Sequence, residues 1–142
     1  MKTAASICSL SALATLLCAG AVNAHHSVPV NFDTSSSHTV TGKLIKTKWV
    51  NPHSQMQVEV TLDDGSADVW LIEMNAINTI RRLGKKMGFT TDDFVVGQTI
   101  TVGGWLGRHH RAIYFRTAKL ESGQEIIWQS RLDPDLAKIQ QD

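Results

Sequence analysis

The residues of this chain best suited to chemistry are its histidines. Four of the six stand as two adjacent pairs, His25-His26 and His109-His110. His53 follows Asn51-Pro52, where the fixed φ of proline aims the next side chain, and His38 follows three serines. If processing exposes His25 as the first residue, its α-amine and imidazole can chelate one metal ion. Copper(II) favours such nitrogen-rich tetragonal sites and stands highest in the divalent affinity order. A further imidazole from His26, His53, His109 or His110 would complete the set. The plainer reading is a solvated N-terminus and loop histidines bonded to backbone. His38, after Ser35-Ser36-Ser37, reads as solvent-exposed.

Other chemistries leave weaker traces. Trp49, Trp70, Trp105, Trp128 and Tyr114 could stack sugars or bases. They are equally ordinary strand and core residues. Arg81, Arg82, Lys85 and Lys86 form a basic cluster that reads as a solvated face. There is no Gly-rich phosphate loop and no Gly-x-Ser-x-Gly elbow. No pair of carboxylates is singled out for acid–base work among Glu59, Asp63, Asp64, Asp68 and Glu73. Glu73, late in an apolar run, is the carboxylate whose burial and ionisation matter.

The elements that must carry these residues begin after an export signal. Met1-Lys2 precedes a short apolar stretch broken by Ser6, Ser9, Ser11 and Thr15, and Val22-Asn23-Ala24 offers small side chains at the cut. Residues 1–24 are therefore expected to be a secretory signal. The stretch is too interrupted for the roughly 20 apolar residues of a membrane span. Cleavage after Ala24 is expected, with Ala21 as the competing site. Cys8 and Cys18 would leave with the signal, so the core must supply stability without a disulfide. Losing Lys2 leaves 13 basic against 13 acidic residues, which argues against a nucleic-acid partner. The compartment implied is periplasmic or extracellular.

Residues 25–38 read as an irregular arm and 39–132 as one domain, with a polar tail over 133–142. Thr39–Val50 predicts a long first strand, bent or bulged at Gly42. Met56, Val58, Val60 and Leu62 alternate with polar residues and predict a strand with one buried face. Asp63-Asp64-Gly65 is a hairpin turn. A third strand spans about 67–74, with Val69 and Leu71 as its expected core face. Ile77, Ile80 and Leu83 then recur at helical spacing, with Asn75 as the expected cap and Gly84 as the expected stop. Two further strands, 98–106 and 111–120, and a short sixth around 126–128 complete the chain. Leu44, Val58, Val60, Ile100, Val102, Ile113 and Phe115 are the other expected core residues.

Three strands, a helix, then two strands is the order of the OB-fold. The fold class is thus mainly β: a small OB-fold-like Greek-key barrel of five to six strands with one short helix between strands three and four. In that fold the loops after strands one and four flank one face. His53 and the His109-His110 pair are accordingly expected on one rim.

The chain also resembles a family of small exported bacterial proteins of unknown function. The resemblance rests on His25-His26-Ser27, Phe32-Asp33, Gly42, the segment Trp49-Val50-Asn51-Pro52-His53, Trp70 to Glu73, Leu83-Gly84 and Gly97. It covers most of the processed chain and departs at Gly104-Trp105-Leu106, while His109-His110 is a local peculiarity. The family implies a compartment and a fold but no activity. The reading is an exported, non-catalytic binding module with a histidine-rich metal site for copper. The alternatives are a copper-dependent redox enzyme or accessory protein using His25, and an oligosaccharide or single-strand binder using an aromatic barrel face.

Overall fold

A computed structural model of the protein describes residues 28–128. A single helical turn, α1 (Val28–Asn31), leads into β1 (Phe32–Lys48), β2 (Ser54–Thr61), β3 (Ala67–Met74), α2 (Ile77–Gly84), β4 (Thr99–Gly107), β5 (Ala112–Leu120) and β6 (Glu125–Ile127). The strands run β3-β2-β1-β4-β5-β6 across one sheet, and a parallel pairing of β3 with β5 closes the first five into a ring. This is the five-stranded Greek-key barrel of the OB-fold, extended by β6.

The long first strand makes closure possible. Its first part pairs with β4 up to Lys43, and its second part pairs with β2 from Lys43 onward. At this handover Gly42 passes so close to β2 that a Cβ would collide with the Glu59 carbonyl oxygen. The glycine is therefore needed for close approach. The bulge expected there lies a little further on, between Leu44 and Lys46.

Strand β1 also starts earlier than its composition suggests. Phe32 and Asp33 already pair with Gly107 and Leu106, so the second half of the expected arm, from Phe32 onward, is strand. Ladder pairing with β4 overrides the turn-forming serines. Their tendency survives as a register break between Asp33 and Ser37, where the Ser35 hydroxyl and N–H donate to Asp33 Oδ1 at 2.7 and 3.0 Å. These two bonds, hydroxyl first, hold the exposed Asp33 carboxyl below its ordinary range.

The core contains Leu44, Met56, Val58, Ile72, Met74, Ile100, Val102, Ile113 and Phe115, all at most 1% exposed. Ile80 of α2 joins it, and Ile77 is buried. Four residues expected on the core face depart from it, Val60 by being only partly buried against the core. Val69 is 47% exposed and Leu71 is half-buried outside the main core, because β3 turns Ile72 and Met74 inward. Both faces of this strand are apolar, so alternation alone did not distinguish them. Leu62 belongs to the hairpin turn, beyond β2, and is exposed.

The helix differs at both ends. Ala76 precedes it without a side-chain cap, and Gly84 keeps right-handed helical geometry. The chain continues through a 3₁₀ turn to Gly88, whose φ of 80° ends it. Phe89 leaves little room for a side chain at Gly84, which explains that glycine as a packing requirement. Thr90 then caps a second turn, receiving the Asp92 N–H while Asp93 receives the Thr90 N–H. That turn sets Phe94 against Phe89, Trp49 and Phe115 in the core.

Candidate binding cleft

The loop from Trp49 to His53 is held from beneath. Ser54 is fully buried, and its hydroxyl donates to the Val50 carbonyl at 3.2 Å. The Ile77 N–H donates to the same carbonyl, and the Ser54 N–H donates to Asn75. The loop is thus tied to the junction of β3 and α2. Asn51-Pro52 is a cis peptide at its tip. Directly after it, His53 is carried beside Glu73 near the end of β3, with Nδ1 3.1 Å from Oε1. Nδ1 is buried and lacks a properly directed hydrogen bond, although the short separation makes the two groups an ion pair when the imidazole is protonated. The His53 side chain is about one-third exposed and that of Glu73 about one-fifth.

This pair borders a cleft of about 430 Å³ that also involves Asn31, Lys48, Asn51 and Gln55. Strand register explains the grouping. Lys48 pairs with Gln55, Gln55 with Glu73, Glu73 with Tyr114, and Tyr114 with Trp105. These five residues form one transverse row around the barrel. Tyr114 is buried, with Phe32 and Ala112, in a small cluster outside the main core that also receives Val28, Leu71 and Trp105. Burial first, and then the Glu73 charge, push its phenol above the ordinary 10.0, against the Arg116 charge and a hydrogen bond with Asn75. The row therefore runs from an exposed ammonium, past a carboxylate and imidazole, to a desolvated phenol.

The turn α1 closes one side. The Arg108 N–H donates to the Asn31 carbonyl at 2.9 Å, its Nε donates to Pro29 at 3.3 Å, and Nη2 lies 3.8 Å from Asp33. The loop after β4 thereby grips the segment whose Asn31 borders the His53 cleft. His109 and His110 are exposed on the loop, and no group of three His, Cys, Asp or Glu residues among the described residues is arranged to hold a metal. Joint convergence of His53, His109 and His110 does not occur: the contacts this loop makes with the N-terminal segment come from Arg108. His25 and His26 lie outside the described residues. His38 is exposed as expected and stacks on Trp70 at 4.8 Å.

The other aromatics are occupied within the fold. Trp128 is buried, Trp49 packs on the core, and Trp105 lies between Tyr114 at 5.8 Å and Arg116 at 4.6 Å. The exposed basic group at 81, 82, 85 and 86 lies on and after α2. Sequence reasoning singled out His53 and Glu73 but missed Lys48, Gln55 and Asn31. Alternation could have put Gln55 on the outer face; its alignment with Lys48 and Glu73 requires the strand register.

A family model matches residues 13–127. The chain belongs to DUF6152, a family of unknown function. No curated protein matches it. Among solved structures, this DUF6152 chain is similar to the N-terminal domain of PriB protein from Thermoanaerobacter tencongensis, described as dimeric. The identity is 17% and the TM-score 0.45, over 61% of this chain and 96% of that one. It is also similar to Rim1, a mitochondrial single-stranded DNA binding protein from S. cerevisiae. There the identity is 11% and the TM-score 0.44, over 61% of this chain and 93% of that one. No helix among the described residues is long and apolar enough to cross a membrane.

Proposed function

We propose that this DUF6152 protein is an exported, non-catalytic binding module whose ligand seats in the His53–Glu73 cleft. The proposed ligand is a late first-row metal ion, copper(II) foremost, chelated by the amine and imidazole of His25 with His53 as partner. The observation that carries the reading is the position of α1. Asn31 borders the cleft, while Val28 packs on the cluster containing Tyr114, the strand neighbour of Glu73. Three residues of extended chain span about 10 Å, and neighbouring strands are about 4.8 Å apart. His25 therefore has the chain length to reach the cleft. His26, two residues from Val28, has about 7 Å of reach.

The test uses exported protein with its N-terminus sequenced. His25 is expected first, and the protein is expected to take up one equivalent of copper(II). One residue added before His25, or His53→Ala, should weaken binding at least about tenfold, whereas His38→Ala should leave it unchanged. An N-terminus at Val22 would overturn the amine chelate. Copper(II) binding no tighter than that of the unfolded chain would overturn the metal reading altogether.

A further inference from the structure

The basic cluster at the end of α2 has no part in the cleft. Arg81 and Arg82 lie in the last turn of the helix, and Lys85 and Lys86 follow in the 3₁₀ turn Lys85–Met87. Gly84 and Lys85 both keep right-handed helical dihedrals, so the helical path is continuous. Arg81 then lies one turn before Lys85, and Arg82 one turn before Lys86. All four are exposed on one side of the helix, away from the buried Ile77, Ile80 and Gly84. The helix dipole favours cations in the last turn, but like charges one turn apart repel. Among the described residues the ion pairs are His53–Glu73, Arg108–Asp33, Arg111–Asp68 and Lys119–Glu125, and none of them draws on this cluster. The whole sequence is nearly balanced, with 14 basic and 13 acidic residues, so the cluster is a local excess.

An apolar turn follows close by. Phe89 packs against Gly84, and Phe94 packs against Phe89 with ring centroids 6.0 Å apart. The chain therefore returns past the end of the helix before it presents Val95 and Val96, which are 59% and 54% exposed. The Gln98 N–H donates to the Val95 carbonyl at 3.2 Å, and the Gly97 N–H donates to the Leu44 carbonyl at 2.7 Å. With a φ of 101° at Gly97, these bonds hold a tight turn with both valines on it. Neither valine belongs to a buried cluster. Asp93 receives the Thr90 N–H, which leaves Asp92 as the exposed acid of this loop.

We propose that the end of α2 and the Val95–Val96 turn together dock on an anionic lipid bilayer. Arg81, Arg82, Lys85 and Lys86 meet the headgroup phosphates, and the valines enter the edge of the acyl region. Charge complementarity selects an anionic surface. The valines favour a bilayer over a soluble acidic polymer, which offers them nothing apolar. None of these residues borders the His53–Glu73 cleft, so the surface stands apart from the metal reading.

Co-sedimentation of the processed full chain with vesicles tests this. One set contains equal parts of phosphatidylglycerol and phosphatidylcholine, the other phosphatidylcholine alone, and soluble polyglutamate serves as the acidic polymer. Binding is expected on the anionic vesicles, weakened by added salt, and much weaker on phosphatidylcholine. Each cation near such a surface is worth about fivefold in affinity. Replacing all four, as Arg81→Gln, Arg82→Gln, Lys85→Gln and Lys86→Gln in one variant, should lose at least about a hundredfold. Val95→Ser with Val96→Ser should lose at least about fivefold and keep the salt dependence. All six positions are exposed, and an unchanged unfolding midpoint establishes the fold of each variant; if the valine variant fails to fold, the charge variant still decides. Absence of binding to the anionic vesicles, or full binding by the charge variant, would overturn the proposal. Polyglutamate bound as tightly as the vesicles, with no effect of the valine substitutions on either, would also overturn it and assign the cluster to an acidic macromolecule.

Discussion

The face that β3 turns inward decides whether the cleft exists. Ile72 is fully buried, whereas Val69 on the opposite face is 47% exposed. Truncating Ile72 to alanine removes three carbons from a close-packed core that includes Met56, Met74 and Ile113. Such a change costs about 3 to 4 kcal/mol, combining lost transfer energy with the remaining cavity. Val69→Ala removes two carbons at a half-exposed site and should stay within about 0.5 kcal/mol. Leu71→Ala should fall between them, since Leu71 packs on the Tyr114 cluster outside the main core. Urea unfolding followed by tryptophan fluorescence measures all three, with similar m-values establishing comparable unfolding transitions. For a domain of this size, the Ile72 loss corresponds to a fall in Tm of about 15 °C or more. Val69→Ala costing as much as Ile72→Ala would refute the register. A one-residue slip moves every side chain to the other face, so Glu73 would leave the cleft and His53 would lose its neighbour.

Two other outcomes follow from close contacts. Gly42→Ala places a methyl group against the Glu59 carbonyl where β1 changes partners. It should destabilise the fold by about 2 kcal/mol, read as a lowered Tm; an unchanged Tm would contradict the close approach. Tyr114 is the only tyrosine in the sequence, so the absorbance of tyrosinate reports one group. Its titration should lie above 10.0, and Glu73→Gln should move it downward by removing the second-largest cause of the rise. The folded state favours the neutral phenol. The associated stability is therefore fully present below pH 10.0 and lost as pH rises through the elevated folded value. A titration at the ordinary phenol value would refute the described burial.

Element order made the barrel legible because changes in hydrophobic period mark strand, helix and turn independently of long-range pairing. The β2 alternation and the Asp63-Asp64-Gly65 turn survive in the structure. The inward face of β3 was harder to read because Val69, Leu71, Ile72 and Met74 offer apolar residues to both sides. The start of β1 was hidden because Ser35-Ser36-Ser37 favours local turns, while pairing with β4 is non-local. His53 and Glu73 could each be selected by type and position. Their approach depends on two buried features without a simple sequence signature: the Ser54–Val50 bonds and the Gln55–Glu73 register. Arg108 carries no sequence signature of its role, yet it is the residue that fastens α1 beside the cleft.

The most direct test is a crystal of the processed chain grown with one equivalent of copper(II), with anomalous scattering recorded at the copper edge. The account predicts one strong peak in the cleft, within about 2 Å of a His53 imidazole nitrogen, with the His25 amine and imidazole completing the coordination. A copper peak on His109 and His110 with none at His53 would contradict it, as would an empty cleft in protein that begins at His25.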